Sequence, residues 1–417
     1  MSNRFIETVS HGLVDVPGFQ VSGVNCGVRA PTNRRLDLAL IHSLFPCNAA
    51  GVFTSNAAPS ATVHLNRKTL AGSGPFYGIV ANSGNANAWT GDRGLDDARE
   101  MCRRAEASCN VTTDSFFVCS TGHIGFPLPM KNIRKGIQKA HRSLGTSERH
   151  GLDNAQAIMT TDTCEKRVTV KIPYQDSIIT LSGIAKGAGM IDPNMATMLA
   201  FLATDACVPN RILQTILKSA VDSSFNAITI DGDQSTNDTV LLLANGNSDI
   251  KINRKNHILY DQLNSAVTYV CGILANKIVS DGERTTKVVE IIVNGAQSNR
   301  NAEKVARAIG GSLLVKSSWF GNDPNWGRIV DAIGYSGAAM REDRVDMNFF
   351  EFSEKKTRRS VVVLKLGKPV NRNRLIWKEI VSNPRFGIEI KLGTGLGSYR
   401  LLSTDITAEY VNFNKSE

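Results

Sequence analysis

Nowhere do the 417 residues contain an apolar run approaching the ~20 needed to cross a bilayer as a helix, so the sequence offers no membrane span. The opening MSNRFIETVSHGLVDV lacks a basic stretch followed by an apolar core, which leaves no secretory signal and leads us to expect a cytoplasmic protein. The eight cysteines include no C-x-x-C pair, which speaks against a zinc site or a thioredoxin-like centre and makes them reduced packing residues. GTGLG at 393–397 lacks the spacing of a dinucleotide fingerprint or a P-loop. GYSGA at 334–338 lacks the final glycine of a nucleophile elbow, which disfavours an α/β-hydrolase. Asp231, Asp233, Ser235 and Asn237 alternate as in a calcium loop, but Thr236 stands where that loop needs glycine and Leu242 where it needs glutamate, so no metal is expected. The net charge of +10 is dispersed; only KKTRR at 355–359 clusters, and no zinc finger, RNP-type motif or basic helix accompanies it. Nucleic-acid binding is therefore not expected, while attraction of small anionic substrates is.

What is present is a globular chain, 42% hydrophobic and long enough for two substantial lobes. Its centre is Leu181 to Ala203, LSGIAKGAGMIDPNMATMLAFLA. Up to Asn194 this reads as a loop, with Gly183, Gly187, Gly189 and Pro193 supplying turns. From Met195 a short apolar run fits a fully buried strand, with a buried helix as the alternative. Thr197 sits at the junction. A hydroxyl there can attack the carbonyl of Ala196 in an N-to-O acyl shift, and hydrolysis of the ester would cut the chain. The new α-amine of Thr197, with an ordinary pKa of about 7.7 to 8.0, would then serve as base for its own hydroxyl. On local chemistry alone an ordinary cap or loop threonine is the commoner reading.

The stretch KGAGMIDPNMATMLAF, Lys186 to Phe201, resembles the autoprocessing signature of the ornithine acetyltransferase family, the bifunctional glutamate N-acetyltransferase and amino-acid acetyltransferase, and similar blocks recur from residue 16 to residue 414. The resemblance implies an α/β (α+β) fold of layered helix and sheet lobes, of the N-terminal-nucleophile kind. It also implies a cut between Ala196 and Thr197 into chains 1–196 and 197–417, which remain associated as two alpha and two beta chains. The implied reaction moves an acetyl group from N2-acetylornithine to glutamate through an ester on Thr197, with no cofactor; acetyl-CoA is a second donor in some members. In FFVCSTGHIG the resemblance makes Thr121 and Gly122 the oxyanion-hole pair, and in AIMTTDTCEK it makes Thr160 a substrate contact. Lys186 and Glu283 become partners of the substrate's charged groups, Lys186 facing a carboxylate and Glu283 the ammonium. The tail TAEYVNFNKSE is similar as far as Asn414, a further substrate contact, and then stops short of the family's closing Ser or Thr, so a weakened KM is expected. Trp89, His123 and Arg284 depart from the residues usual in the family.

Two competing readings stay open at this level. An N-terminal-nucleophile peptidase or amidase would share the cut and the oxyanion hole but deliver the acyl group to water. A binding protein of the same fold would cleave itself and bind substrate without turnover. For the rest of the chain, residues 18–56 read as several strands, and LDDAREMCRRAEASCN has helical spacing. RVTVKI and SIITLSGI form a strand pair, and AITIDGDQSTNDTVLLLANG reads as strand, polar turn, strand.

Overall fold

The computed structural model describes residues 5–29, 34–72, 74–192, 198–254, 256–352, 359–370, 372 and 374–415. The chain divides into two compact units, the first comprising Met1–Ala188, Asn194–Asn226 and Gln234–Ile278, the second Gly189–Pro193, Ala227–Asp233 and Val279–Glu417. The first carries β1 (Ile6–Thr8), β2 (Phe19–Val24), β3 (Leu38–Phe53), α1 (Ala61–Ala71), β4 (Phe76–Asn85), α2 (Gly91–Cys109), β5 (Phe116–His123), α3 (Met130–Arg142) and α4 (Glu148–Ala157). It continues with β6 (Lys166–Tyr174), β7 (Ser177–Lys186), β8 (Leu199–Thr204), α5 (Asn210–Asp222), β9 (Thr239–Ala244) and most of α6 (His257–Ser280). Its sheet runs β1-β6-β7-β8-β9-β3-β4-β5, with β2 added on β3.

At the middle of that sheet lies the expected buried strand. All six residues of β8 and all six of β9 are buried. Continuous apolar runs of this kind, without alternation, suit strands covered on both faces. β8 pairs antiparallel with β7 and parallel with β9. The expected strand pair is the β6-β7 hairpin, turned at Gln175 with φ +51. Strand β7 runs on through Lys186, so Gly183 belongs to the strand and not to the loop. Its missing side chain is where Val270 and Leu274 of α6 approach, each 3.0 Å from an ideal Cβ.

DLALIHSLFP and AAGVFTSN turn out to be one strand, β3, whose register slips between His42 and Cys47. A slip there accommodates Pro46, which has no N–H for a ladder. The first half of β3 pairs with β2 and β4, the second half with β9. Helix α2 buries Ala98, Met101, Cys102 and Ala105, an i, i+3, i+4, i+7 stripe, and stops at Asn110 in the left-handed region.

The second unit carries β10 (Val288–Ala296), α7 (Asn299–Gly311), α8 (Leu313–Phe320), α9 (Trp326–Tyr335), β11 (Asp346–Glu351), β12 (Ser360–Lys365), β13 (Lys368–Pro369), α10 (Arg374–Ser382), β14 (Arg385–Lys391), β15 (Gly397–Thr404) and α11 (Ala408–Asn414). Its sheet runs β13-β12-β11-β14-β10-β15 over a core that includes Trp319, Phe349 and Phe386. The segment AITI, expected as a strand, is a 3-10 turn at Phe225–Ala227 followed by a single bridge from Ile228 to Leu402. Among the described residues no helix is long and apolar enough to cross a membrane.

Candidate active site

In the first unit the apolar start of FFVCSTGHIG forms β5, which runs parallel to β4 with Ser83 opposite Thr121 and Gly84 opposite Gly122. The strand therefore extends through S-T-G, Ser120 to Gly122. Gly122 has φ +133, and an ideal Cβ would lie 2.3 Å from the backbone carbon of Gly84. Only glycine permits that approach, so near its end the strand carries an exposed Gly122 beside a buried Thr121. Thr121 Oγ1 accepts a hydrogen bond from Lys186 Nζ at 3.3 Å, and the same ammonium donates to Thr160 Oγ1 at 2.8 Å. Three residues singled out from separate blocks are thus brought together at one cation. Lys186 is only 2% exposed, against the surface position that a lysine usually takes, because β7 is an interior strand and Lys186 is its last residue.

Sequence reading missed what holds this cluster. Asp162 Oδ1 accepts from Lys166 Nζ at 2.7 Å and from the Gly187 N–H at 2.7 Å, while Oδ2 accepts the Thr160 N–H at 2.9 Å. Both side chains of the Asp162–Lys166 pair are 0% exposed. Burial pushes the Asp162 carboxyl up, but the Lys186 and Lys166 charges and the Gly187 N–H outweigh it and hold it at about 2. Nothing local in TTDT distinguishes this aspartate from a solvated turn residue.

Two further missed residues lie before β9. The Asn237 amide donates to the carbonyls of Ala86 at 2.6 Å and Ser120 at 2.8 Å, which fixes the residue preceding Thr121. Asp238 is fully buried and accepts the Met198 N–H on Oδ1 at 3.0 Å. Burial holds its carboxyl well above the usual range, opposed by that N–H. Within the polar alternation that mimics a calcium loop, Asn237 is therefore a backbone clamp. Asp231, in the second unit, likewise accepts the N–H groups of Met190 at 2.6 Å and Ile191 at 2.7 Å. Among the described residues no group of three or more His, Cys, Asp or Glu is arranged to hold a metal ion.

Thr197 and Ala196 lie outside the described residues. Met198 follows the expected nucleophile directly in the chain, and β8 starts at Leu199. His123 is exposed at the end of β5, and its carbonyl accepts the Ala86 N–H at 2.9 Å. Trp89 has φ +57 and is 75% exposed, so its bulk is accommodated without filling a core.

In the second unit Glu283 and Asn414 come together, Asn414 Nδ2 donating to Glu283 Oε2 at 3.1 Å. Arg284 turns its guanidinium over the Phe413 ring at 4.9 Å, which gives its charge a partner other than the neighbouring carboxylate. The Glu283 carboxylate packs on Gly189, where an ideal Cβ would lie 2.3 Å from its carboxyl carbon. Gly189→Ala is therefore expected to push the carboxylate aside and to raise the KM of the ammonium-bearing substrate about tenfold with kcat retained. Steady-state kinetics on the purified variant check this; an unchanged KM would remove Glu283 from the substrate contacts.

Comparison with known proteins completes this picture. The ArgJ family model matches residues 20–416. The "Arginine biosynthesis bifunctional protein ArgJ, mitochondrial" of Schizosaccharomyces japonicus is 43% identical over 404 residues, 95% of this chain and 92% of that protein. The "Arginine biosynthesis bifunctional protein ArgJ" of Caldanaerobacter subterraneus subsp. tengcongensis is 40% identical over 406 residues, 97% and 98% of the two chains. Among solved structures, the argJ protein of Bacillus halodurans is similar with a TM-score of 0.44 and 33% identity over 46% of this chain and 98% of that one. The ornithine acetyltransferase of Mycobacterium tuberculosis, complexed with ornithine, gives 0.42 and 32% over 45% and 98%. With a family match over nearly its whole length and relatives above 30% identity across more than nine-tenths of each chain, this chain belongs to the ArgJ family.

Proposed function

We propose that this protein is an acetyltransferase of arginine biosynthesis that cuts itself between Ala196 and Thr197 and then moves an acetyl group from N2-acetylornithine to glutamate. The single observation that carries the chemistry is the meeting of Thr121, Thr160 and buried Lys186 at one cation, beside a glycine whose position no side chain can share. Family membership favours this reading over an amidase or an inactive binding protein.

In this reading the cut gives chains of 196 and 221 residues out of 417, the second beginning with Thr197. Its α-amine takes the proton of its own hydroxyl, which attacks the acetyl carbonyl. The developing oxyanion meets the Thr121 hydroxyl and the Gly122 N–H, a pair of preorganised donors. Ornithine leaves with the proton, and the amine of glutamate attacks the acetyl ester of Thr197 to give N-acetylglutamate and free the hydroxyl. Thr160 serves one end of the substrate. No cofactor takes part. Assembly as two alpha and two beta chains, a cytoplasmic location and acetyl-CoA as a second donor complete the proposal.

Incubation with N2-acetylornithine, with and without glutamate, tests it. Ornithine release is expected to depend on glutamate, and initial-rate plots at several acetylornithine concentrations are expected to be parallel. Acetate release that ignores glutamate would establish the amidase instead, and intersecting lines would replace the ester with a ternary complex.

A further inference from the structure

An ammonium group has three hydrogens to give and no lone pair to accept with, so at its contacts with Thr121 and Thr160 Lys186 is the donor and the threonine oxygens are acceptors. A hydroxyl has one hydrogen. With Lys186 occupying a lone pair of Thr121 Oγ1, that hydrogen is turned away from the ammonium and the O–H bond is polarised by a full positive charge held out of water. Thr121 thereby becomes a directed, charge-assisted donor.

The cation is held for this by Asp162. One carboxylate takes the N–H of Gly187, the residue after Lys186, and the N–H of Thr160, whose hydroxyl receives the other Lys186 hydrogen bond. It therefore fixes the backbone on both sides of the ammonium, and its own place is fixed by Lys166. We infer that Lys186 acts on the acetyl carbonyl through Thr121, and that Asp162 is the positioning residue that keeps this hydroxyl aimed. A counterion to a substrate carboxylate would act in the ground state and appear in KM, whereas polarising an oxyanion donor acts in the transition state and appears in kcat. The inference rests on the acyl-transfer reading of the site.

The experiment is a double-mutant cycle on Lys186→Met and Thr121→Val, read in two reactions: acetyl transfer from N2-acetylornithine to glutamate, and the burst of p-nitrophenol from p-nitrophenyl acetate. The second needs the nucleophile and the oxyanion donors but no amino-acid site. Rates are taken per cleaved chain, counted by denaturing mass spectrometry. Each single change is expected to lower kcat and the burst rate by about 10²- to 10³-fold. The KM for acetylornithine should stay within about threefold, and the double variant should be no slower than the worse single one. Losses that multiply, or a KM that rises while kcat holds, overturn the inference. Asp162→Asn paired with Lys166→Met, which avoids stranding a buried lysine, is expected to lower the burst rate by about tenfold with KM retained; an unchanged burst removes Asp162. A wild-type chain that gives the burst but transfers no acetyl group from acetylornithine would sink the substrate assignment and leave the cycle readable.

Discussion

Thr197→Ala is expected to leave one uncut chain of 417 residues with acetyl transfer reduced by roughly 10⁴- to 10⁶-fold. Two losses coincide in this change. Without the hydroxyl there is no N-to-O shift, so the peptide bond after Ala196 persists. Without the cut there is no α-amine to act as base, and without the oxygen there is no atom to carry the acetyl group. Nothing else in the cluster replaces it: Thr121 and Thr160 both already accept from Lys186 Nζ, which raises the acidity of their hydrogens but blunts their oxygens as nucleophiles. Thr197→Ser retains the oxygen and is expected to cut and to turn over, at a lower rate. Denaturing mass spectrometry distinguishes the outcomes directly, since the cut wild type should give two chains, the second beginning Thr-Met-Leu-Ala. An intact chain with full activity would end both the cleavage and the nucleophile assignment.

The second large effect concerns stability. Asp162→Ala is expected to destabilise the protein by about 3–5 kcal/mol, because it leaves the ammonium of Lys166, 0% exposed, without its carboxylate. Chemical denaturation of the variant measures this. The same pair gives a pH signature. Burial acts to raise the Asp162 pKa, and the two lysines reverse that, so the folded value is about 2 against an ordinary 3.8. A depressed folded pKa stabilises the native state above the unfolded value and loses that contribution as pH falls through the folded one. Between about pH 4 and pH 2 the wild type should therefore lose about 2 kcal/mol from this carboxyl alone. The Asp162→Asn, Lys166→Met double change should show a correspondingly shallower acid slope. If the slope is the same, another carboxyl carries the acid sensitivity.

Much of the architecture was legible from periodicity. β8 and β9 are continuous apolar runs and are strands buried on both faces. The alternating RVTVKI and SIITLSGI form a hairpin, and α2 follows its apolar spacing. The misreadings have specific causes. Residues 18–56 read as several strands, yet a register slip carries β3 past Pro46 as one strand. AITI has strand composition, but its first residue closes a 3-10 turn and Ile228 makes an isolated bridge to Leu402 in place of a ladder.

What the sequence by itself determined is the set of elements with a strong local period and the family, through blocks long enough to be specific. Only the tertiary structure decided which polar residues meet. Lys186 and Thr121 are 65 residues apart, Asn237 and Ser120 117 apart, and Met198 and Asp238 40 apart. Local propensity acts over a turn of helix or a strand pair, whereas the burial of a charge depends on everything packed around it. Lys166 and Asp162, only four residues apart, make the same point at short range: in solution such a pair is a screened surface contact, and it becomes a buried support of the site only in the folded chain, where both side chains are 0% exposed.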